Sequence, residues 1–571
     1  MATVGHSGEI DQHDPATRAT LPGAGPAELP PWVLRAALAL ALVPLVVSAV
    51  HLSVRHRDYA VSGDLAMTEL VTRDVGRHAV ALGPYSRDGW HHPGPALYHL
   101  LAPPYRLLGS TSSAMDVGAL LVNGAAVAGM ALLARRRGGA PLALVTLLGC
   151  SLLMRSLGPD ELRLPWNPYV TVLPYGLLVF LTWSLASGDR WALPVAVLVA
   201  SYLAQTHIGY VALALPLVAL GTVWLAARGR RGLLGPSLTA VGVAAVLWLP
   251  PAVQQLANDP GNLSLAMRWF REGGPDRQRP PGLGAGWRVV SSQYGIPPEW
   301  LFGDRGTTVM GEPVALYDPV VPVLLLAVLA AGYVLWRRRT AGSGTLVAVW
   351  LVASAAGIVA MARTVRPVYE YRLGWTSVLG LVGGVIVGWA AWTSATDRRP
   401  ALERHVLVPL ALVSLAVLGA VGSVAHVRAG RPLSAASDRL GAVVPAVVDG
   451  LPPGGGDVVI EGRGFEAVVY RAGLLLALER RGVDARMPAG EDATGAHRTA
   501  GDGHRRAALV VATAGTVAAL ASDPTATLVA YDGDLSLAEL RARVAAGSEV
   551  PYGAALAVFR LEPPLDTPAE S

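Results

Sequence analysis

The sequence has no lysine and only one cysteine, Cys150, in 571 residues. A lone cysteine excludes an internal disulfide and any cysteine-paired zinc or iron–sulfur site. The missing ammonium group excludes lysine Schiff-base chemistry and a Walker-type phosphate loop. All 46 basic residues are therefore arginine. Charge is scarce as well: 15% of the residues are charged, against roughly 25% in an average soluble chain, which argues against a water-soluble enzyme of this length. The net charge of +5 is too small and too scattered to suggest nucleic acid, and no nucleic-acid partner is expected.

What the sequence has in abundance is apolar surface, with 52% hydrophobic residues and a mean hydropathy of +0.43. Apolar runs of about 20 residues cover a hydrocarbon core of roughly 30 Å. They fall near 32–52, 114–134, 140–158, 169–186, 191–206, 208–227, 233–252, 319–336, 343–362, 373–393 and 405–425. The fold class is thus an α-helical polytopic membrane protein of about eleven spans. Arginine clusters at 135–137, at 228, 230 and 231, at 337–339 and at 398, 399 and 404 fall on one side if the spans alternate. The positive-inside rule makes that side cytoplasmic. The expectation is a multi-pass protein of the cell membrane with its N-terminus cytoplasmic and its C-terminus outside.

Residues 1–31, rich in Pro, Gly, Ala, Asp and His, read as a disordered cytoplasmic tail without a signal-peptide pattern. Residues 32–427 form the membrane domain, whose outward segments are 53–113, 159–168, 253–318 and 363–372. From about Arg428 the long apolar runs give way to short ones. Strands are expected at Val458–Glu461, Leu509–Thr513, Thr527–Tyr531 and Ala555–Leu561, and helices at Phe465–Arg481 and Ser536–Ala545. Residues 428–571 therefore read as an extracytoplasmic α/β domain. Inward loops are short and outward ones long, so the chemistry is expected on the outer face. No internal repeat stands out, unlike the halves of an inverted-repeat transporter.

The first outer loop, 53–113, is dense in Asp, Glu, His, Arg and Tyr. Helical patterns at Leu65–Arg73 and Ala96–Leu108 predict two short helices along the membrane surface. Asp64 follows Gly63 at the start of the first, where a carboxylate would accept a proton from a hydroxyl bound at the membrane surface; the competing reading is a helix cap. Glu69 and Asp74 are secondary candidates. Glu69 lies roughly 140° around from Asp64 if both belong to one regular helix, so the two would share a metal only if Asp64 sits in the turn before it. The segment Trp90-His91-His92-Pro93-Gly94-Pro95 pairs two imidazoles with a stiff turn. It holds either a phosphate or metal ligand or an interfacial turn anchored by Trp90.

A first span, a Gly-Asp loop start, the His92-Pro93-Gly94-Pro95 turn and an amphipathic segment followed by many spans resemble the GT-C glycosyltransferases, notably the protein-mannosyltransferase-like branch. The likeness covers mainly residues 32 to about 255. It implies a sugar donor carried on a polyprenyl phosphate, transfer on the outer face, and Asp64 as the general base for the acceptor hydroxyl. The chain departs from the pattern in two ways. The usual His-Pro-Pro turn is His-Pro-Gly-Pro here, and no adjacent acidic pair is present, which bears on metal dependence.

Other outer-face groups add to this set. Leu164-Pro165-Trp166-Asn167-Pro168-Tyr169 opens the fourth span, with Trp166 and Tyr169 suited to interfacial anchoring. Gln205-Thr206-His207 ends the fifth, where His207 would face the same outer cavity as Asp64. Arg363, Arg366 and Arg372, beside Tyr369, Glu370 and Tyr371, sit against the positive-inside trend. They either clamp a lipid phosphate or pair with Glu370 to order the turn. The loop after the seventh span, with Gln254, Gln255 and Trp269, reads as a lid or a passive connection. Gly462-x-Gly464-x-x-Ala467 resembles a dinucleotide fingerprint, but its expected placement outside the cell favours a plain strand-to-helix turn.

These features converge on a glycosyltransferase. Asp64 would act as base, and His91, His92, His207, Arg363, Arg366, Arg372 and Tyr371 would hold substrate and phosphate. Trp166 and Asn167 are secondary candidates. A divalent cation (Mg or Mn), if used, would sit at Asp64 or Glu69. A single base suggests inversion at the anomeric carbon. Partners would be the lipid-linked donor, membrane lipids and an extracytoplasmic glycan or protein acceptor. The alternatives are a flippase for lipid-linked glycans and a non-catalytic scaffold with a binding domain.

Overall fold

Backbone amides in hydrocarbon have no water to bond, so apolar runs must close their hydrogen bonds internally as helices. In the computed structural model each of the expected apolar runs is helical. Residues 29–561 are described, apart from 87, 230–231, 273–279, 303–319, 366–367, 452–457, 464–466, 492, 502–506, 514, 549 and 551–553. Arg366 and the middle of the 462–467 glycine motif therefore lie outside the described residues.

The membrane part begins with α1 (Pro31–Arg55), followed by α2 (Gly63–Asp74), α3 (Ala96–Leu107) and α4 (Ser112–Arg163). The helix α4 holds the second and third apolar runs and changes direction at Gly139 (φ 74°), beside the arginines at 135–137. Next come α5 (Val172–Ala186), α6 (Ala192–Thr206), α7 (Val211–Ala227), α8 (Leu234–Ala257), α9 (Asn262–Glu272), α10 (Leu283–Ser291) and α11 (Glu299–Phe302). The last four are α12 (Val323–Arg337), α13 (Ser343–Ala362), α14 (Thr376–Arg398) and α15 (Val408–Arg428). Among the described residues seven helices are long and apolar enough to cross a membrane. The helices α5, α6 and α12 have 15 residues each, or about 22 Å. The centre of the bundle is α5, buried along its whole length except at Leu177. A helix apolar all round belongs in such a place.

Beyond α15 the chain builds α16 (Ser434–Asp449), β1 (Val458–Arg463), α17 (Ala467–Glu479), β2 (Ala485–Arg486), β3 (Ala507–Thr513), α18 (Gly515–Leu520), β4 (Ala526–Gly533), α19 (Leu537–Ala545) and β5 (Ala555–Leu561). The sheet order is β2-β1-β3-β5-β4, with β1 parallel to β2 and β3, and β5 antiparallel to β3 and β4. Successive side chains of a strand point to opposite faces. Leu509 and Val511 accordingly pack with α16 and α17, while Val510 and Ala512 pack with α18 and α19. Helices cover both faces, which is why these strands read as continuous apolar runs.

One element differs from its expected place. The amphipathic pattern of α2 predicts a helix on the membrane surface, but its apolar residues Leu65, Ala66 and Leu70 share a core with Leu474, Leu475 and Leu478 of α17. Protein, not lipid, covers its apolar stripe. The helix α2 is the joint between the membrane part and the C-terminal domain.

Candidate active site

A cavity of about 1150 Å³ opens where α2, the 83–95 turn, the 164–168 loop, the start of α7, the 363–375 turn and α17 meet. Gly63 opens α2 with φ 56°, a left-handed conformation that a side chain resists. The turn it makes brings Asp64 into the first helical turn, on the cavity wall. Trp166 donates its indole Nε1–H to Asp64 Oδ2 at 2.8 Å. Trp166 and Tyr169 are both buried at 5% exposure, which corrects their reading as interfacial anchors. A buried indole needs an acceptor, and Asp64 supplies it. Asn167, also on the wall, donates to the Thr206 carbonyl.

Aromatic contacts carry the wall from Asp64 towards the arginines. The Trp166 ring lies 4.7 Å from Tyr371, and Tyr371 stacks on Tyr369 at 5.5 Å with planes 6° apart. The Arg372 guanidinium lies over both tyrosine rings, 5.6 and 5.7 Å from their centres. Arg363 and Arg372 both line the cavity. This part of the wall therefore presents fixed positive charge on a stiff aromatic base.

The histidine turn supplies neutral donors. Gly83 N–H donates to the His92 carbonyl and His92 N–H to the Pro84 carbonyl, fixing the ring's backbone. A Cβ on Gly94 would lie 2.5 Å from Gln205 Oε1. That close approach accounts for Gly94 at the third position of the turn, where the resemblance leads one to expect proline. Gln205, fully buried, bonds Ala96 N–H and the Leu247 carbonyl and ties the turn to α6 and α8. His92 and His207 face each other with ring centres 4.7 Å apart. Burial, then the neighbouring His207, His91 and Arg372, holds His92 well below the usual imidazole range. Burial and Arg372 push His207 down to about 3. Both rings are thus neutral near pH 7. Nδ1 of His92 accepts from Ile208 N–H at 3.2 Å and Nδ1 of His207 from Gly209 N–H at 3.1 Å. This pattern assigns the ring hydrogen to Nε2 in each.

His91, in contrast, does not line the cavity. Its N–H donates to Asn262 Oδ1 at 2.7 Å, and Asn262 Nδ2 donates back to its carbonyl at 2.9 Å. This pair anchors α9, whose Trp269 and Phe270 pack on Trp90 at 5.7 and 5.8 Å and roof the cavity. The helix α9 is therefore a cover, held down through His91.

Glu69 and Asp74 also lie away from the cavity. Glu69, 1% exposed, accepts from Tyr105 at 2.8 Å and Ser112 at 3.1 Å and pairs with Arg480. Asp74 receives both arms of the Arg498 fork, at 2.7 and 2.8 Å. Arg73 closes the seam from the other side by pairing with Glu479 at 3.2 Å, and Arg498 bonds the same carboxylate at 2.7 Å. Burial raises the Glu479 pKa, but the bonds and charges of Arg498 and Arg73 outweigh it and hold the group below the usual carboxylate range. Among the described residues, neither Asp64 nor Glu69 belongs to a group with metal-ligand spacing; Asp74, His78 and His497 do.

Sequence reasoning misses the wall that the C-terminal domain provides. Tyr470, Arg471, Glu491 and Thr494 line the cavity, and Arg471 pairs with Glu491 at 2.8 Å. Nothing local marks them, because they meet Asp64 only through the packing of α17 against α2.

No protein-family model and no curated protein matches this sequence. Solved structures do match it. The crystal structure of ArnT from Cupriavidus metallidurans in the apo state superposes with a TM-score of 0.54 at 14% identity, covering 92% of this chain and 97% of that one. The same protein bound to undecaprenyl phosphate gives a TM-score of 0.51 at 14% identity, over 92% and 98% of the two chains. The likeness spans both the membrane part and the C-terminal domain, and by it this chain shares the fold of ArnT.

Proposed function

We propose that the protein is a membrane glycosyltransferase that moves a sugar from a polyprenyl-phosphate donor to an acceptor hydroxyl on the outer face of the cell membrane. The observation that carries this reading is one cavity wall running from a carboxylate, Asp64, to a charged rim at Arg363 and Arg372, with His92 and His207 beside it. The shared fold with ArnT, one structure of which holds undecaprenyl phosphate, supports the donor class. Arg137, which pairs with Asp189 at 3.2 Å, sits beside the Gly139 bend of α4, about one span's length from the Ser112 start of that helix, which bonds Glu69 of α2. The positive-inside rule then turns the cavity outward.

In this mechanism the acceptor hydroxyl gives its proton to Asp64 as its oxygen attacks the anomeric carbon. The bond from that carbon to the phosphate oxygen breaks, and the phosphate leaves on its lipid. Arg363 and Arg372 stabilise the charge that builds on the leaving group. Neutral His92 and His207 donate from Nε2 without adding charge. The indole of Trp166 holds the carboxylate in place through its bond to Oδ2. A single base, Asp64, corresponds to inversion at the anomeric carbon. The walls from the C-terminal domain, with Tyr470, Arg471 and Glu491, face the acceptor.

The test is transfer in proteoliposomes from a radiolabelled polyprenyl-phosphate sugar, comparing wild type with Asp64→Asn. Transfer by the wild type and its loss in the variant supports the reading. Equal transfer by both removes Asp64 from the mechanism, and movement of the donor across the bilayer without transfer identifies a flippase.

A further inference from the structure

Outside the cavity, where the end of α2 meets the C-terminal domain, three metal-ligating side chains come together. We propose that Asp74, His78 and His497 bind a transition-metal ion of the zinc(II) class, clasping the first loop to the C-terminal domain. Their ligand atoms all lie within 4.8 Å of one another. His497 Nε2 is 3.4 Å from Asp74 Oδ1. With metal bonds of about 2.0–2.1 Å, ligands on a tetrahedron stand roughly 3.3 Å apart, so this edge is already at coordinating length.

The backbone sets up the arrangement. The N–H groups of Arg77 and His78 both donate to the Asp74 carbonyl, at 2.7 and 2.8 Å, so His78 returns to the side of Asp74 one turn later. On the other partner, Gly495 (φ 106°) leads into the 3-10 turn Ala496–Arg498, which presents His497. The two imidazoles stack with centres 3.8 Å apart and planes 12° from parallel. To converge on an ion one ring must turn, and both are exposed and have room to do so.

Arg498 already joins Asp74 to the C-terminal domain, so the two histidines are not needed for that ion pair. Each carboxylate oxygen has about two acceptor sites. An ion on Oδ1 therefore leaves the guanidinium bonds in place, and these hold the carboxylate as outer-shell partners do. Two imidazoles and a carboxylate favour zinc-class ions over magnesium or calcium, which take oxygen ligands. Asp74 and Glu479 balance Arg498 and Arg73, so coordination rather than net charge must hold the ion, and water completes its open side.

None of the three residues lines the cavity, so the ion takes no part in the transfer step. It fastens α2, which carries Asp64, to the segment that carries Glu491 and Thr494, and so braces two walls of the cavity.

The test uses the full chain in detergent, stripped with chelator and re-equilibrated with zinc or cobalt. Wild type should retain about one ion per chain, give the cobalt absorption of a low-coordinate nitrogen–oxygen site, and unfold at a higher temperature with zinc than without. His78→Ala and His497→Ala should each lose the ion and the zinc-dependent rise while keeping the metal-free unfolding temperature, because both side chains are exposed. Asp64→Asn should bind the ion as wild type does. Failure of folded wild type to retain zinc overturns the proposal, as does wild-type stoichiometry in the double histidine variant. Loss of the ion in Asp64→Asn overturns its placement outside the cavity.

Discussion

The helix α2 shows two regions with opposite uses for the same chemistry. Its first turn faces the cavity, and there Asp64 accepts from the neutral indole of Trp166. Its later turns face the C-terminal domain, and there Glu69 and Asp74 meet Arg480 and Arg498. A carboxylate taken up by a guanidinium ties together the parts of the chain that carry the two groups. A carboxylate on the cavity wall can meet the hydroxyl of a bound acceptor. Position on one helix, and hence the partner, separates a group suited to catalysis from groups that fasten two parts of the molecule.

Four changes break or sharpen that contrast. The largest effect is expected at the seam: Arg480→Met leaves buried Glu69 without its paired guanidinium, which should lower stability by about 3–5 kcal/mol, read as a fall in the unfolding temperature. On the cavity side, Arg372→Gln removes a charged partner of the donor phosphate and should weaken donor binding by roughly 10- to 100-fold, read by titration with a polyprenyl phosphate. Trp166→Phe keeps the packing and removes the indole bond to Asp64, at about 1 kcal/mol. It should slow transfer about 10-fold or less with little change in stability, in the kinetics of the purified variant.

The smallest effect concerns pH. The folded pKa of His207 lies near 3, below the free value of about 6.5. Below about pH 6.5 the unfolded chain therefore binds more protons than the folded one, and stability falls as the pH drops from 6.5 towards 3. His207→Asn should flatten that fall in unfolding curves taken between pH 7 and 5.

Much of the fold is legible in the sequence because its signals are local. Apolar length marks the membrane helices, Gly63 and Pro95 bracket α2 and α3, and short β-branched runs mark four of the five strands. The two-residue β2 and the amphipathic α16 escape notice, because neither carries a run or a motif long enough to stand out. The sites follow the same divide. Asp64, His92, His207, Arg363, Arg372, Tyr371, Trp166 and Asn167 meet at one cavity, and each is marked by a polar or aromatic residue where an apolar run ends. His91, Glu69 and Asp74 have the same local look, yet their partners, Asn262, Arg480 and Arg498, come from distant parts of the chain. Only tertiary packing decides which polar residue faces the cavity and which ties the scaffold.

The comparison between Asp64 and Glu69 can be settled in one paired experiment that measures transfer per folded molecule and unfolding temperature for Asp64→Asn and Glu69→Gln. The account predicts that Asp64→Asn keeps its unfolding temperature and loses transfer by roughly 100- to 10,000-fold, while Glu69→Gln unfolds earlier and keeps its transfer rate per folded molecule. The reverse pattern, with Asp64→Asn active and Glu69→Gln folded but inactive, would contradict it.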